Sequence, residues 1–504
     1  MRRRDFLATA AVASVAPSIL ARRGWGDSHA QHAQQHHDKT IHATPADAMK
    51  APRETLAFLP CIRVGMEGEA TKKPDYLAVV DVDPHSDSYS KVVARLDMPH
   101  VGDELHHYGW NACASCHGER ERRYLIVPGL ASSRIHVIDV ADPRKPKLQK
   151  VVSAEEVKKT GLSAPHTVHC LSDGRLMLSM LGDADGNAPG GFLLLDDEFN
   201  VAGRWEKNEN DAPDMRVRPP KPGMKFNYDF WYQPRHNAMI SSEWAAPNTV
   251  RQGFKVEDVK AGKYGQRLVV WNWEKQTIDH TIDLGAEGLI PLEVRFHHNP
   301  DSAHGFVGAA LSSSMWHFHK AAGDANQSAK PGRWTAEKVI QVDPVEVEGW
   351  PFPVPGLITD LVLSMDDRWL YFSNWLHGDI RQYDVSDPAK PKLTGQVWLG
   401  GVLGAKGGTK PDAGYVGGPQ MLQLSLDGKR LYVTSSLYSV WDNQFYPDMA
   451  KRGSFLRQID CDTTKGGLAL NEKFHVDFGQ EPGGPSRAHE IRFPGGDSTS
   501  DIWV

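Results

Sequence analysis

Along this chain apolar and polar residues alternate with period two in short runs separated by turns rich in Asp, Gly and Pro, and the 3.6-residue period of a helix is scarce. Two segments are near copies. Ser133-Arg134-Ile135-His136-Val137-Ile138-Asp139-Val140-Ala141-Asp142-Pro143 and Gly378-Asp379-Ile380-Arg381-Gln382-Tyr383-Asp384-Val385-Ser386-Asp387-Pro388 each read as a strand running into an Asp-Pro turn. Weaker versions recur at Tyr76–Asp81, Phe192–Asp196, Leu268–Asn272, Met315–Phe318 and Leu456–Asp460, which makes seven units. A second strand, opened by a polar turn, precedes some of them, at Asp173–Leu178, Asp367–Phe372 and Asp427–Val433. Three to four short strands in each of seven units of about 65 residues predict an all-β, seven-bladed β-propeller over residues 51–504. Two β-sandwiches, the competing architecture, would not generate seven comparable units. Glu490–Phe493 and Asp501–Val504 read as inner strands whose outer partners come from Tyr76 to Leu96, so that one blade is shared between the ends of the chain. The Pro- and Gly-rich stretches Glu206–Lys225 and Gly400–Gly418 read as loops crossing a face.

Length and charge narrow the function. A core stops growing near about 250–300 residues, so a chain of 504 residues needs several domains or a repeat. The formal net charge is −6 and the one concentrated basic run is Arg2-Arg3-Arg4, which argues against nucleic acid as a partner. That run, with the Ala-rich stretch Ala8–Ala21 behind it, reads as a twin-arginine export signal over residues 1–30, with Ser28-His29-Ala30 a candidate cleavage site. Residues 31–50 read as a His-rich linker. The expected location is the periplasm, and no apolar run is long enough to predict a membrane span.

Chain position predicts where histidines gather. In a propeller blade the innermost strand starts at one face, here called the top, and the turn between second and third strands returns to it. His106, His107, His166 and His489 precede inner strands and His377 lies between a second and a third strand, so all five are candidate metal ligands at the top of the channel. Alternation lets only one of His106 and His107 face the axis. His236 and His298 fall at the opposite turns. Imidazoles suit copper, zinc, iron and nickel, and an all-imidazole site with an open position can serve copper.

Cys113-Ala114-Ser115-Cys116-His117 matches the attachment pattern of c-type haem. Its place in a strand-rich blade, and the export of folded proteins by the twin-arginine route, favour a disulfide or a pair of soft ligands and thiol contacts near the channel. Glu243 and Asp360 are candidate proton carriers, each with the alternative of bonding a blade.

Asp103-Glu104-Leu105-His106-His107-Tyr108-Gly109-Trp110-Asn111, Cys113–Cys116, Tyr228–Asn237, Ser242–Asn248, Phe372–Asp379 and Ala488–Arg492 together resemble the selenium-binding protein family, which includes bacterial methanethiol oxidase. The resemblance runs from about residue 45 to the end. It implies a periplasmic, copper-dependent enzyme that converts methanethiol, dioxygen and water to formaldehyde, hydrogen sulfide and hydrogen peroxide. Position and residue chemistry make the histidines its candidate copper ligands and Cys113, Cys116 and Glu243 its candidate catalytic groups, with a copper chaperone as a candidate partner. The rival is a non-catalytic copper or selenium carrier on the same propeller. Two positions depart from the family pattern: His117, where relatives often carry Phe, and Ser90, where animal members carry a cysteine.

Overall fold

The computed structural model describes residues 40–63, 73–207, 223–321, 332–350, 352–404 and 414–504. The export signal, residues 31–39 of the His-rich linker and the central parts of the two predicted loops lie outside the described residues. Seven four-stranded antiparallel sheets form the propeller. From inner to outer strand, blade 1 is Arg487–Ala488, Leu56–Ile62, Tyr76–Asp81 and Lys91–Asp97, and blade 2 is Gly109–Trp110, Tyr124–Pro128, Ile135–Asp139 and Lys147–Val152. Blade 3 is Leu162–Cys170, Leu176–Asp183, Gly191–Leu195 and Val201–Arg204, and blade 4 is Phe230–Gln233, Ala238–Ser242, Arg267–Asn272 and Thr277–Asp283. Blade 5 is Pro291–Phe296, His304–Ala309, Ser314–Lys320 and Trp334–Gln341, and blade 6 is Ile358–Leu363, Trp369–Asn374, Asp379–Asp384 and Lys392–Trp398. Blade 7 is Leu422–Leu424, Arg430–Thr434, Phe455–Cys461 and Leu468–Asp477. All seven repeats found in the sequence are third strands. Among the described residues the longest helix, Ser439–Phe445, has 7 residues, and no helix is long and apolar enough to cross a membrane.

The duplicated Asp-Pro turns work the same way in both blades. Asp142 accepts from the Arg144 amide at 3.1 Å and Asp387 from the Ala389 amide at 3.2 Å, so each side chain holds the reversal into the fourth strand. Between blades the faces close on large side chains. Phe192 of blade 3 meets Phe230 and Trp271 of blade 4 edge to face, with ring centres 5.3 and 5.4 Å apart.

The ends of the chain share blade 1 as predicted, but in a different register. Arg487–Ala488 is its inner strand, Arg492 adds a single bridge to Phe58, and Asp501–Val504 forms no strand. The tail is instead held by side chains. Buried Asp501 accepts from Arg122 Nη1 and Nη2 at 3.1 and 2.6 Å and from the Ala114 amide at 2.9 Å, and Trp503 Nε1 donates to the His42 carbonyl at 2.9 Å. Replacing Asp501 with Ala removes one half of a buried ion pair with Arg122, so the variant should lose about 3–5 kcal/mol in denaturant unfolding. Leu393→Ala, at a side chain 53% exposed on an outer strand, should change stability by less than about 0.5 kcal/mol in the same measurement.

Candidate functional site

Local irregularities, not ladder positions, aim the imidazoles. His106 and His107 lie just before the inner strand of blade 2, in a segment held by side chains: the Leu105 amide donates to Asp75 at 3.1 Å and the Tyr108 amide to Glu490 at 2.6 Å. Glu104 in this segment has φ 54°. Because the segment is outside the pleat, strand alternation does not apply, and both His106 and His107 enter the same group. Their ring centres are 5.0 Å apart. His166 sits in a bulge of the blade 3 inner strand, between the pairs Pro165–Met180 and Val168–Leu178, where the extra residue turns the side chain inward. His489 follows the inner strand of blade 1, with its amide donating to the Pro60 carbonyl at 3.1 Å.

The rings of His106, His107, His166 and His489 are all buried, and His106 and His107 each contact the other three. His107 and His166 lie 3.9 Å apart, His106 and His166 5.1 Å, and His489 stacks on His106 at 3.8 Å. His106, His107 and His166 are the one group of three among the described residues whose ligand atoms all lie within 4.8 Å of one another. Four buried nitrogens, His106 Nδ1, His107 Nε2, His166 Nε2 and His489 Nε2, have no hydrogen-bond partner. The opposite nitrogen is fixed in two cases. His489 Nδ1 donates to the Ser436 carbonyl at 2.7 Å, and His166 Nδ1 donates at 3.1 Å to Thr167 Oγ1, which in turn donates to Asp229 at 2.6 Å. Each bond leaves Nε2 as the bare lone pair, the state a metal ligand requires. Burial, reinforced by the neighbouring imidazoles, holds the basicity of His106, His107 and His166 well below the ordinary range, and burial takes His489 down to about 4.

Around the imidazoles runs a ring of buried charge. Arg295 donates to Asp229 at 2.8 Å and to Glu293 at 2.8 Å, with Asp360 at 3.8 Å, and Arg492 pairs with Glu490 and donates to the Tyr108 carbonyl at 2.9 Å. Two of these carboxylates flank His107: Glu293 Oε1 is 3.6 Å from Nε2 and Glu490 Oε1 is 3.5 Å from Nδ1. Burial raises the pKa of Glu293 well above, and that of Glu490 above, the carboxylate range, and takes Asp360 to about 7. Aromatic side chains close the top. The Tyr228 ring lies 4.0 Å from His166 and the Tyr438 ring 6.3 Å from His106, with Trp244 in contact with both tyrosines. His169, also buried, follows one step deeper among Phe230, Trp231 and Tyr232.

The other predicted residues sit elsewhere. His377 occupies the turn between the second and third strands of blade 6, donates through Nε2 to the Val354 carbonyl at 2.9 Å, and makes no ring contact with the four imidazoles. A turn between second and third strands lies one to two strand spacings of about 4.8 Å outside the channel wall, beyond the reach of an imidazole. Cys113 is disulfide-bonded to Cys170, which ends the inner strand of blade 3, and Cys116 is a buried thiol 3.9 Å from the Cys170 sulfur. With Cys113 bonded to Cys170, the two thiols that haem attachment needs are not both present. Inner strands run from top to bottom, so Cys113, Cys116 and Cys170 lie at their lower ends, away from the imidazoles. Glu243 accepts from Arg267 at 2.8 and 3.0 Å and from the Lys225 amide at 2.6 Å, which makes it a buried anchor for blade 4. His236 and His298 lie at the lower turns, where His298 Nε2 donates to the Leu363 carbonyl at 3.2 Å.

An all-β propeller whose channel closes on a buried imidazole centre defines a class of candidate metalloproteins. Comparison with known proteins makes this more specific. A profile of the 56kDa selenium binding protein (SBP56) family matches residues 35–504, and the chain belongs to that family. It is 56% identical over 484 residues to a Xenopus laevis protein named methanethiol oxidase, covering 92% of this chain and 98% of that protein. It is 54% identical over 486 residues to the Homo sapiens methanethiol oxidase, covering 92% and 98%. The crystal structure of a hypothetical selenium-binding protein from Sulfolobus tokodaii superposes with a TM-score of 0.81 at 41% identity, over 93% of this chain and 99% of that one.

A native pKa near 4 for His489 lies below the unfolded value near 6.5, so between those limits the unfolded chain binds the extra proton and stability falls as pH falls. Over about pH 6 to 4 the metal-free protein should therefore lose stability faster than its His489→Asn variant, by about 1 kcal/mol per pH unit on average, in parallel denaturant titrations. Equal slopes would mean that His489 is not held neutral by burial.

Proposed function

We propose that the protein is a periplasmic, copper-dependent methanethiol oxidase, converting methanethiol, dioxygen and water to formaldehyde, hydrogen sulfide and hydrogen peroxide. The observation that carries this reading is the buried group His106, His107 and His166, with His489 stacked on it and four unpartnered ring nitrogens inside it. The donor set fits copper: neutral imidazoles, no sulfur among them, and tautomers fixed by Ser436 and Thr167. The names carried by full-length relatives support the activity, and the twin-arginine segment supports the periplasm. When bound, copper would supply the electron transfer that a closed-shell thiol and dioxygen lack, and a soft site for the thiolate.

The chain's own groups prepare the rest. Tyr228, Tyr438 and Trp244 offer an apolar wall suited to the methyl group of a small thiol and exclude water from the imidazoles. Glu293 Oε1, which has no hydrogen-bond partner and lies 3.6 Å from His107 Nε2, is placed to accept the proton that methanethiol gives up as it enters as thiolate, a role that requires the ionised carboxylate its pairing with Arg295 favours. Arg295 holds Glu293 in place through its other oxygen at 2.8 Å.

Metal analysis with methanethiol-dependent dioxygen uptake tests the proposal. His107→Ala and His166→Ala should lose copper and uptake together while keeping the wild-type circular dichroism spectrum. Thr167→Val, which removes the bond to His166 Nδ1, should weaken copper binding by about 10–100-fold. His377→Ala should keep its copper. Full copper occupancy in the first two variants would sink the assignment, and copper without any dioxygen uptake in the wild type would identify a carrier instead.

A further inference from the structure

A second set of imidazoles lies at the opposite end of the propeller, in a part of the chain to which the reading above gives no role. The third strand of blade 5 carries His317-Phe318-His319, and its second strand begins with His304. Residues two apart on a strand share a face, and the register places His304 directly across from His319, and Phe306 across from His317. Three imidazoles therefore occupy one patch of one sheet face. Their ring centres lie 5.1 Å (His304 to His317), 4.7 Å (His317 to His319) and 6.1 Å (His304 to His319) apart, with interplanar angles of 15, 20 and 25°.

Hydrogen bonding does not account for the cluster. His304 Nδ1 and His317 Nε2 share one hydrogen bond at 2.8 Å, while His317 Nδ1 and His319 Nδ1 are buried with no partner. His317 is only 3% exposed, and burial takes its pKa to about 3, so it presents a neutral ring at physiological pH. Leaving desolvated nitrogens unpaired is costly, and neutral imidazoles on a rigid strand pair are the donors that borderline divalent metals prefer. A cavity lies beside the cluster. His297, whose ring lies 5.6 Å from His304, lines a cavity of about 970 Å³ together with Ser302, Asp301, Asp366, Asp367 and Arg368.

We propose that His304, His317 and His319 form a second metal site, for a divalent transition-metal ion of the zinc class, with its open position towards this cavity. The His-x-His pair supplies two ligands from one strand and His304 the third from its neighbour, which leaves room for water or a small anion on a tetrahedral ion. The ligand nitrogens of His304, His317 and His319 are not all as close together as those of His106, His107 and His166. Binding therefore requires one ring to turn about its side-chain torsions, with the His304–His317 hydrogen bond exchanged for bonds to the ion.

Equilibrium dialysis of the purified protein against Zn²⁺, with bound metal counted by atomic emission, tests this. The histidines of the N-terminal linker and of the channel are identical in every protein compared, so their contribution cancels in the difference. The His317→Asn/His319→Asn double variant should bind one zinc equivalent fewer than wild type, and His304→Asn should bind that equivalent at least about tenfold more weakly. His236→Asn, a change of a neighbouring histidine outside the set, should match wild type. Should the double variant fail to fold, His319→Asn, at a half-buried position, decides alone by the same weakening. Equal stoichiometry and affinity in wild type and the folded variants would overturn the proposal.

Discussion

Two guanidinium groups buried in the channel, Arg295 and Arg492, carry the constraint on which the rest of the site depends. Arg295 draws together Asp229 of the segment entering blade 4, Glu293 of blade 5 and Asp360 of blade 6, while Arg492 ties Glu490 and Asp497 of the returning tail to the Tyr108 carbonyl of blade 2. Desolvating so much charge is expensive, and such a network is weak evidence for stability in itself. Its consequence is geometric. Asp229 fixes Thr167 and through it the tautomer of His166, and Glu293 and Glu490 stand on either side of His107. The imidazoles are thus oriented by charged groups that are themselves pinned between blades, which is the preorganisation a metal centre needs before substrate arrives.

Closure of the ring serves the same end. Blade 1 takes its inner strand from residues 487–488 and the other three from residues 56–97, so His489, Glu490 and Arg492 reach the channel only when the two ends of the chain have met. Asp501 then locks the tail onto Arg122 of blade 2. The same residues that close the fold complete the site, which couples a correctly folded propeller to a correctly built centre.

The third strands were legible in the sequence because they are apolar, alternating and followed by polar turns, and all seven fall where the repeats lie. The inner strands were far less legible: Gly109–Trp110, Leu422–Leu424 and Arg487–Ala488 are too short to show a period, and those that line the channel carry the polar residues that normally mark a surface. Chain position placed His106, His107, His166 and His489 at one end of the channel, although only the first two precede an inner strand: His166 lies within one and His489 just after one. Distance from the axis could not be read from it, which is why His377 appeared equivalent to them. Glu293 and Glu490 do carry a sequence signal, the shared Glu-x-Arg of Glu293-Val294-Arg295 and Glu490-Ile491-Arg492 on two inner segments. Cys170 carried none, being 57 residues from Cys113, so the close Cys113-x-x-Cys116 spacing drew attention away from the real pair.

The most direct test of the account is X-ray absorption spectroscopy at the copper edge on protein carrying a single copper equivalent. Coordination by the channel imidazoles predicts a first shell of nitrogen scatterers near about 2.0 Å, the multiple-scattering pattern of imidazole, and no sulfur shell before substrate is added. A sulfur shell near about 2.3 Å in the substrate-free protein would place the metal among Cys113, Cys116 and Cys170 at the other end of the inner strands, and would contradict it.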